Sequence, residues 1–327
     1  MEIETSARLH LSLIDLNGLE GRLDGGIGVT LQEPTLNIEC KESTEDTTII
    51  FDKKLSDYHF DTYETKIIDA TNKMNKYLNI DNNYEFNIKK LYPIHQGLGL
   101  GTQISLSVAK LISELNEHTL STIELAKIIQ RGGTSGIGVY SFDMGGLIID
   151  GGHKKSLKKD YLPSSASKVS PPPLIAHYDF PEEWNIILVT PQSTKGASGK
   201  KEIDIFQTYS PIDIQNVQQI SYLTLMKLMP AIVEKDLQNF GDAINKIQRL
   251  GFKKIERDLQ DSTIHEIMEH MELLNIPSVG MSSFGPTCFG ITDENPKLLQ
   301  KELKELTDNT AEIRVTKGKN HGSILKK

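Results

Sequence analysis

Between Pro93 and Ala109 the chain reads PIHQGLGLGTQISLSVA, a turn carrying three glycines that runs straight into an amphipathic helix. Few folds accept such a junction. Gly97, Gly99 and Gly101 permit positive φ and close backbone approach, while the first amides of the following helix lack partners within it and point outward at its positive end. Phosphate or diphosphate is the guest this chemistry favours. No Lys-Ser/Thr pair closes the loop, so it is not the common P-loop, and its spacing is not the GxGxxG of a dinucleotide turn.

Around this junction, periodicity predicts an α+β chain. Ile3 to Leu13 alternates as a strand with Arg8 and His10 on its polar face, and GLEGRLDGGIG leads to a second strand over about 27–40. Thr62 to Leu78 has helical spacing, Tyr84 to Leu91 returns to alternation, and Ser121 with Glu124 forms a capping box for a helix ending at Gly132-Gly133. After a short strand over 145–150 comes a polar, Pro-rich passage. Composition there predicts a boundary between a domain over 1–174 and a second over 175–327. In the second half, Ile212 to Leu250 reads as two helices broken near Pro230, Ser262 to Leu274 as a third, and strands flank the SFGP turn.

Bulk properties narrow the function. A formal charge of −8 disfavours a general nucleic-acid surface, so an anionic substrate would be held by local amides and a few cations. Arginine is scarce, which singles out Arg8, Arg22, Arg131, Arg249, Arg257 and Arg314. Cys40 and Cys288 are the only cysteines and match no metal or disulfide pattern. No apolar run approaches the ~20 residues of a membrane span. The start, MEIETSARLH, lacks the basic and apolar regions of a signal peptide, so a cytoplasmic location is expected.

Three segments, SARLHLSLIDLNGLEGRLDGG, PIHQGLGLGTQISLSVA and SSFGPTCFGI, occur in an order that resembles the GHMP kinase superfamily, the group of galactokinase, homoserine kinase and mevalonate kinase. The resemblance implies an N-terminal ribosomal-protein-S5-like domain and a C-terminal ferredoxin-like domain. It also exposes two departures. Where the kinases carry Ser-Ser-Ala-Ala, this chain has Leu100, Gly101, Thr102 and Gln103; where Pro-Ser-Gly-Ile precedes a catalytic Asp, Thr134-Ser135-Gly136-Ile137 precedes Gly138. Glycine can neither accept a proton nor align an alcohol, which sets the chain apart from ordinary phosphoryl transfer.

Kept and lost features together resemble the branch of β-ribofuranosylaminobenzene (or β-ribofuranosylphenol) 5'-phosphate synthases of archaeal methanopterin biosynthesis. That likeness rests on ARLHLSLIDL, RLDGGIG, QGLGLGTQ, RGGTSGIGVYSFDMGGLIIDGGH, SFGPTCFG and the Asn-His-Gly at 320–322. It implies a pentosyltransferase that joins phosphoribosyl diphosphate to 4-hydroxybenzoate or 4-aminobenzoate, releases CO2 and diphosphate, uses Mg2+ and forms a homodimer. Two alternatives stand beside it. One is an ATP-dependent small-molecule kinase using Asp143 or Asp24 as base, the other a ligand-binding homologue without chemistry.

On this reading the amides of Gly97, Gly99, Gly101 and Thr102 take a phosphate or diphosphate. Arg8 and His10 serve catalysis by gripping the benzoate carboxylate or the 5'-phosphate, with Arg22 and Asp24 nearby or merely paired on a solvated hairpin. Arg131, Thr134, Ser135 and Gly136 offer a second anion nest. Asp143 and His153 are candidates for catalysis, Asp150 for Mg2+. Ser283, Gly285 and Thr287 belong to the C-terminal glycine motif, and Asn320 and His321 are weaker substrate contacts. Lys195 and Ser198 lie in a stretch that reads first as a solvated basic loop.

Overall fold

The computed structural model describes residues 1–55, 60–164, 166–192, 199–308 and 310–327. Its first sheet is organised by two long strands, β1 (Glu2–Asp15) and β2 (Arg22–Ser43). β3 (Thr48–Phe51), β4 (Asn83–Lys90), β5 (Leu147–Asp150), β6 (His153–Lys154) and β7 (Leu174–Tyr178) join them. The far half of β2 pairs with β4 and its near half with β5 and β6, so its 22 residues span most of the sheet. α1 (Asp61–Leu78), α2 (Leu100–Leu115), α3 (Thr122–Ile128) and α4 (Ile137–Asp143) complete this part, their apolar faces packed in one core with Ile3, Leu9, Val29, Tyr84 and Phe86.

A second, four-stranded antiparallel sheet has the order β11-β8-β10-β9, from β8 (Asn185–Pro191), β9 (Ser278–Met281), β10 (Cys288–Thr292) and β11 (Ala311–Lys317). β12 (Ile324–Lys326) then returns to pair with β1. The predicted boundary falls at the first residue of β7, which pairs with β5, and β12 carries the last residues back to the first sheet. The helices of this half are α5 (Lys200–Tyr209), α6 (Ile214–Leu223), α7 (Met229–Glu234), α8 (Leu237–Ile247), α9 (Gly251–Asp258), α10 (Ser262–Leu273) and α11 (Pro296–Leu306).

Pro230 does not break its helix. It sits in the first turn of α7, directly after a π-helical turn over Thr224–Leu228, and the chain stays helical to Glu234. A proline near a helix start removes an amide that needs no helical partner, and the wider turn reroutes the hydrogen bonds before it. The break comes at Lys235, with φ of 56°.

Two glycines of the RLDGGIG segment decide how closely α4 approaches the sheet. A methyl group on Gly28 would stand 2.2 Å from Ile137 Cγ2, and one on Gly26 would stand 2.6 Å from Ser135 Oγ. Only bare backbone leaves room. The turn before α4 is thereby laid against β2, beside the strand that carries Arg8 and His10.

Candidate active site

β1 has register irregularities between Ser6 and Arg8 and between His10 and Ser12. Such bulges re-aim the side chains between them. Arg8 and His10 are left on the face where three distant segments converge. Arg8 N donates to Leu98 O at 3.2 Å and Arg8 Nη1 to Gly97 O at 2.5 Å. Ser282 Oγ donates to the same Gly97 O at 2.7 Å and accepts from His10 N at 2.9 Å, while Ser283 N donates to His10 O at 2.9 Å. First strand, glycine loop and C-terminal turn are thus bonded into one wall.

The loop itself has the geometry that its glycines predict. Gly97 and Gly99 have φ of 77° and 81°, and Gly99 caps α2. A methyl group on Gly97 would stand 2.3 Å from Ser282 O, and one on Gly99 would stand 3.0 Å from the Arg8 guanidinium carbon. Backbone closes on Gly97 and the Arg8 side chain on Gly99.

Against this wall lies a cleft with two adjoining parts. One is lined by Lys66, His95, Gly97, Gly99, Gly101, Arg131 and Gly285. The other is lined by His10, Leu13, Gly132, Thr134, Ser135, Gly138, Phe206 and Glu256. Arg8, Thr102, Glu202, Ser283 and Phe284 border both parts. The first is rich in cations and open amides, the second has apolar walls and a polar floor.

Burial sets the charge states. Arg8 is pulled down to about 10 by burial and remains a cation near neutrality. Burial, with Arg8 and Lys253 adjacent, holds His10 well below the usual imidazole range, so it is a neutral ring. Under the floor, Lys253 and Glu256 form a buried ion pair, and Lys253 Nζ also donates to Ser283 O at 3.0 Å. The pair fixes the C-terminal turn from below. Lys66 is lowered to about 8 by burial and the proximity of Arg131.

Gly138, where kinases place their base, faces this cleft. A methyl group there would stand 3.2 Å from Thr102 Cγ2. Gln103 is fully buried; its Nε2 donates to Gly138 O at 2.9 Å and its Oε1 accepts from Thr5 Oγ1 at 2.5 Å. Gln103 is therefore a strut that ties α2 to α4 and β1, a role its position in the motif did not announce.

Several predicted residues stand elsewhere. Asp150 Oδ2 accepts from Gly136 N at 2.8 Å and Ser135 Oγ at 3.3 Å, and its Oδ1 from Gly152 N at 3.0 Å. The second anion nest is thus filled by the protein's own carboxylate, which corrects the metal-ligand role given to Asp150. Asp24 is buried, with Lys158 Nζ at 2.9 Å and His153 Nδ1 at 2.6 Å, while His153 Nε2 contacts Ser170 O at 3.0 Å. His153 has both ring nitrogens engaged in this cluster and does not reach the cleft. Thr134 lines the cleft but its hydroxyl donates to Leu162 O and accepts from Lys158.

Asp143 is exposed at the end of α4 and accepts from Thr122 Oγ1 at 2.6 Å, away from the reaction it was expected to serve. Arg22 clamps the Gly151–Gly152 turn through Gly151 O and Gly152 O, at 2.7 and 2.8 Å. Thr287 is buried against Thr190 at 2.9 Å. Asn320 brackets the Phe180 backbone by accepting from its N and donating to its O, and His321 is exposed beside it in a separate hollow. Arg22, Thr287 and Asn320 act in the framework. Lys195 and Ser198 lie outside the described residues.

Among the described residues, no group of three or more His, Cys, Asp or Glu is placed to hold a metal ion. Asp24 and Asp150 have their oxygens taken by internal partners, and Glu256 at the cleft is paired with Lys253. The side chains described do not form a resident Mg2+ cage.

The fold is that of the GHMP class. The family model for the GHMP kinases N terminal domain matches residues 65–146. Solved structures agree in fold: a homoserine kinase from Cytophaga hutchinsonii has a TM-score of 0.70 at 12% identity, covering 99% of this chain and 96% of its own. A mevalonate kinase has 0.68 at 17%, covering 98% and 100%. Within that class the curated relatives are more specific. The β-ribofuranosylphenol 5'-phosphate synthase of Methanothermobacter thermautotrophicus is 46% identical over 99% of this chain and 98% of its own, and that of Methanocaldococcus jannaschii 45% over 98% and 99%. The chain belongs to the β-ribofuranosylphenol 5'-phosphate synthase family.

Proposed function

We propose that the protein is a decarboxylating phosphoribosyltransferase of tetrahydromethanopterin biosynthesis. It forms a C-riboside from phosphoribosyl diphosphate and 4-hydroxybenzoate or 4-aminobenzoate, releasing CO2 and diphosphate. The observation that carries this reading is Gly138 in the wall of a cleft that keeps a cation-lined anion loop. Phosphate recognition persists where the kinase base is absent. The two carboxylates that a kinase reading would recruit instead are out of reach, Asp143 exposed on α4 and Asp24 locked beneath Lys158.

In the reaction, the ring carbon bearing the carboxylate attacks the anomeric carbon as the bond to diphosphate breaks. The bond from that ring carbon to the carboxylate then breaks, CO2 leaves, and the electron pair restores aromaticity. The glycine loop and its cations suit the leaving group, whose developing charge fixed donors can stabilise. Leu13, Phe206 and Phe284 suit a flat aromatic ring, with Arg8 for its carboxylate and neutral His10 as a hydrogen-bond partner rather than a cation. Mg2+ enters as the counter-ion of the diphosphate, as it does where phosphates and water supply most of its ligands.

Incubation with phosphoribosyl diphosphate, Mg2+ and either benzoate, followed by CO2 and diphosphate assays, tests the reading. Equal amounts of both products are expected. ATP-dependent phosphorylation of an alcohol without CO2 release would overturn it. A cytoplasmic homodimer completes the proposal. α6, the π-helical turn and α7 expose Tyr222, Leu225, Met226 and Val233 at helical spacing, an apolar stripe suited to a second copy. Light scattering should give twice the 36.6 kDa chain mass; a monomer would refute the dimer.

A further inference from the structure

We propose that Lys66, on α1, is a diphosphate receptor that stands where the superfamily's phosphate loop carries a hydroxyl, and that with Arg131 it clamps the leaving group. The inference rests on the phosphoribosyltransferase reading and names the residue that acts on its diphosphate. Gly101 occupies the position of the second serine in the kinase motif. A methyl group on Gly101 would stand 3.2 Å from Lys66 Cε and 3.4 Å from Lys66 Nζ, so the ammonium group and its stem lie directly against the place where a serine side chain would start. Lysine and hydroxyl are alternatives at this spot.

The surroundings of Lys66 point to an absent anion. It is half-buried, lines the same cavity as Arg8, Arg131 and the glycine loop, and makes no hydrogen bond or ion pair among the described residues. Among the described residues the Arg131 side chain has one long contact, from Nη2 to Ser105 Oγ at 3.5 Å, and no carboxylate partner. Arg8 engages one guanidinium nitrogen, Nη1, with Gly97 O, and its Nε is buried without a partner. Asp69, the carboxylate nearest Lys66 on its helix, is paired with Lys73 at 2.7 Å. A half-buried lysine without a counter-charge is costly to hold; three such cations facing one loop are repaid when a polyanion arrives. Burial together with Arg131 lowers Lys66 to about 8, in keeping with cations crowded and unsatisfied.

Phosphate oxygens from either end of phosphoribosyl diphosphate share this chemistry, and calorimetry with inorganic diphosphate and with ribose 5-phosphate distinguishes them. In Lys66→Met, diphosphate binding should weaken by about tenfold or more, as loss of a charge-assisted contact implies, while ribose 5-phosphate binding changes by less than about threefold. Lys66→Arg should retain most of the diphosphate affinity, and Lys66→Gln provides a second neutral variant should Lys66→Met fold poorly. Lys73→Met, outside the cleft, should bind as wild type. Undiminished diphosphate binding in both neutral variants, or equal loss for both probes, would overturn the clamp. CO2 release by the wild-type protein scores the underlying reaction separately: turnover with an unchanged phosphoribosyl diphosphate KM in Lys66→Met sinks the clamp alone, and Lys66-dependent diphosphate binding without CO2 sinks the transferase reading alone.

Discussion

Gly99 shows how much function one missing methyl group can hold. Its φ of 81° disfavours any other residue, and a Cβ would press on the guanidinium of Arg8 at 3.0 Å. In Gly99→Ala the backbone term is about 1 kcal/mol, small enough for the fold to survive. The displaced Arg8 is the larger effect. Calorimetric melting should shift by only a few degrees while kcat/KM for phosphoribosyl diphosphate falls by about tenfold or more, because misplacing a positioned charge costs more than straining a turn. Wild-type kinetics in Gly99→Ala would remove Arg8 from the binding wall. Lys66 yields a pH signature at the same scale. Influenced by Arg131, Asp69 and Lys73, with His95 and Glu202 lining the same cavity, it loses its proton as pH rises through about 8 in the free protein. A bound diphosphate favours the charged form, so affinity should decline above that pH more steeply in wild type than in Lys66→Arg, whose guanidinium stays charged. Parallel titration curves from calorimetry between neutral and alkaline pH would contradict this.

At the scale of elements, the motifs were legible because glycine and alternation report on backbone, while their side-chain partners were not. β1, α1, α2 and the capping box at Ser121 follow directly from periodicity and capping. Asp24 illustrates what periodicity cannot show. It lies in the expected turn, but Lys158, from the polar HKKSLKKD passage, folds over it and is itself buried. Nothing local marks that lysine, since a run of lysines ordinarily signals solvent. The apparent substrate contact is thus an ion pair holding β2 to the segment after β6. Asp24→Asn should destabilise the protein by about 3–5 kcal/mol, the usual cost of leaving one buried charge unpaired. Urea unfolding measures it, and Lys158→Met introduced into Asp24→Asn should recover part of the loss by removing the stranded charge. A loss below 1 kcal/mol, in the range of a surface pair, would show that Lys158 is hydrated.

For the molecule as a whole, the site is a property of the meeting of two sheets, and this explains which of its residues escaped the sequence. Arg8, Gly97, Gly99 and Ser283 belong to recurring motifs and could be read in order along the chain. Lys66 comes from α1, outside those motifs, and Phe206 and Glu256 come from helices that reach the cleft only once the second sheet is docked on the first. Docking is enforced at the seam by Gln248, fully buried, whose Nε2 donates to Leu11 O at 2.7 Å and whose Oε1 accepts from Met281 N at 3.0 Å. One side chain thus bridges β1 to β9. Gly280 leaves room for it, since a methyl group there would stand 2.7 Å from Gln248 Cδ. Gln248→Leu keeps the approximate volume but strands a buried carbonyl and a buried amide, each worth about 1–3 kcal/mol. Because Leu11 and Met281 lie one residue from His10 and Ser282, the loss should reach the cleft: lower stability in urea, with kcat falling more than KM rises as Arg8 and the C-terminal turn lose register. Destabilisation with unaltered kinetics would mean that the wall around Gly97 holds its geometry without the seam.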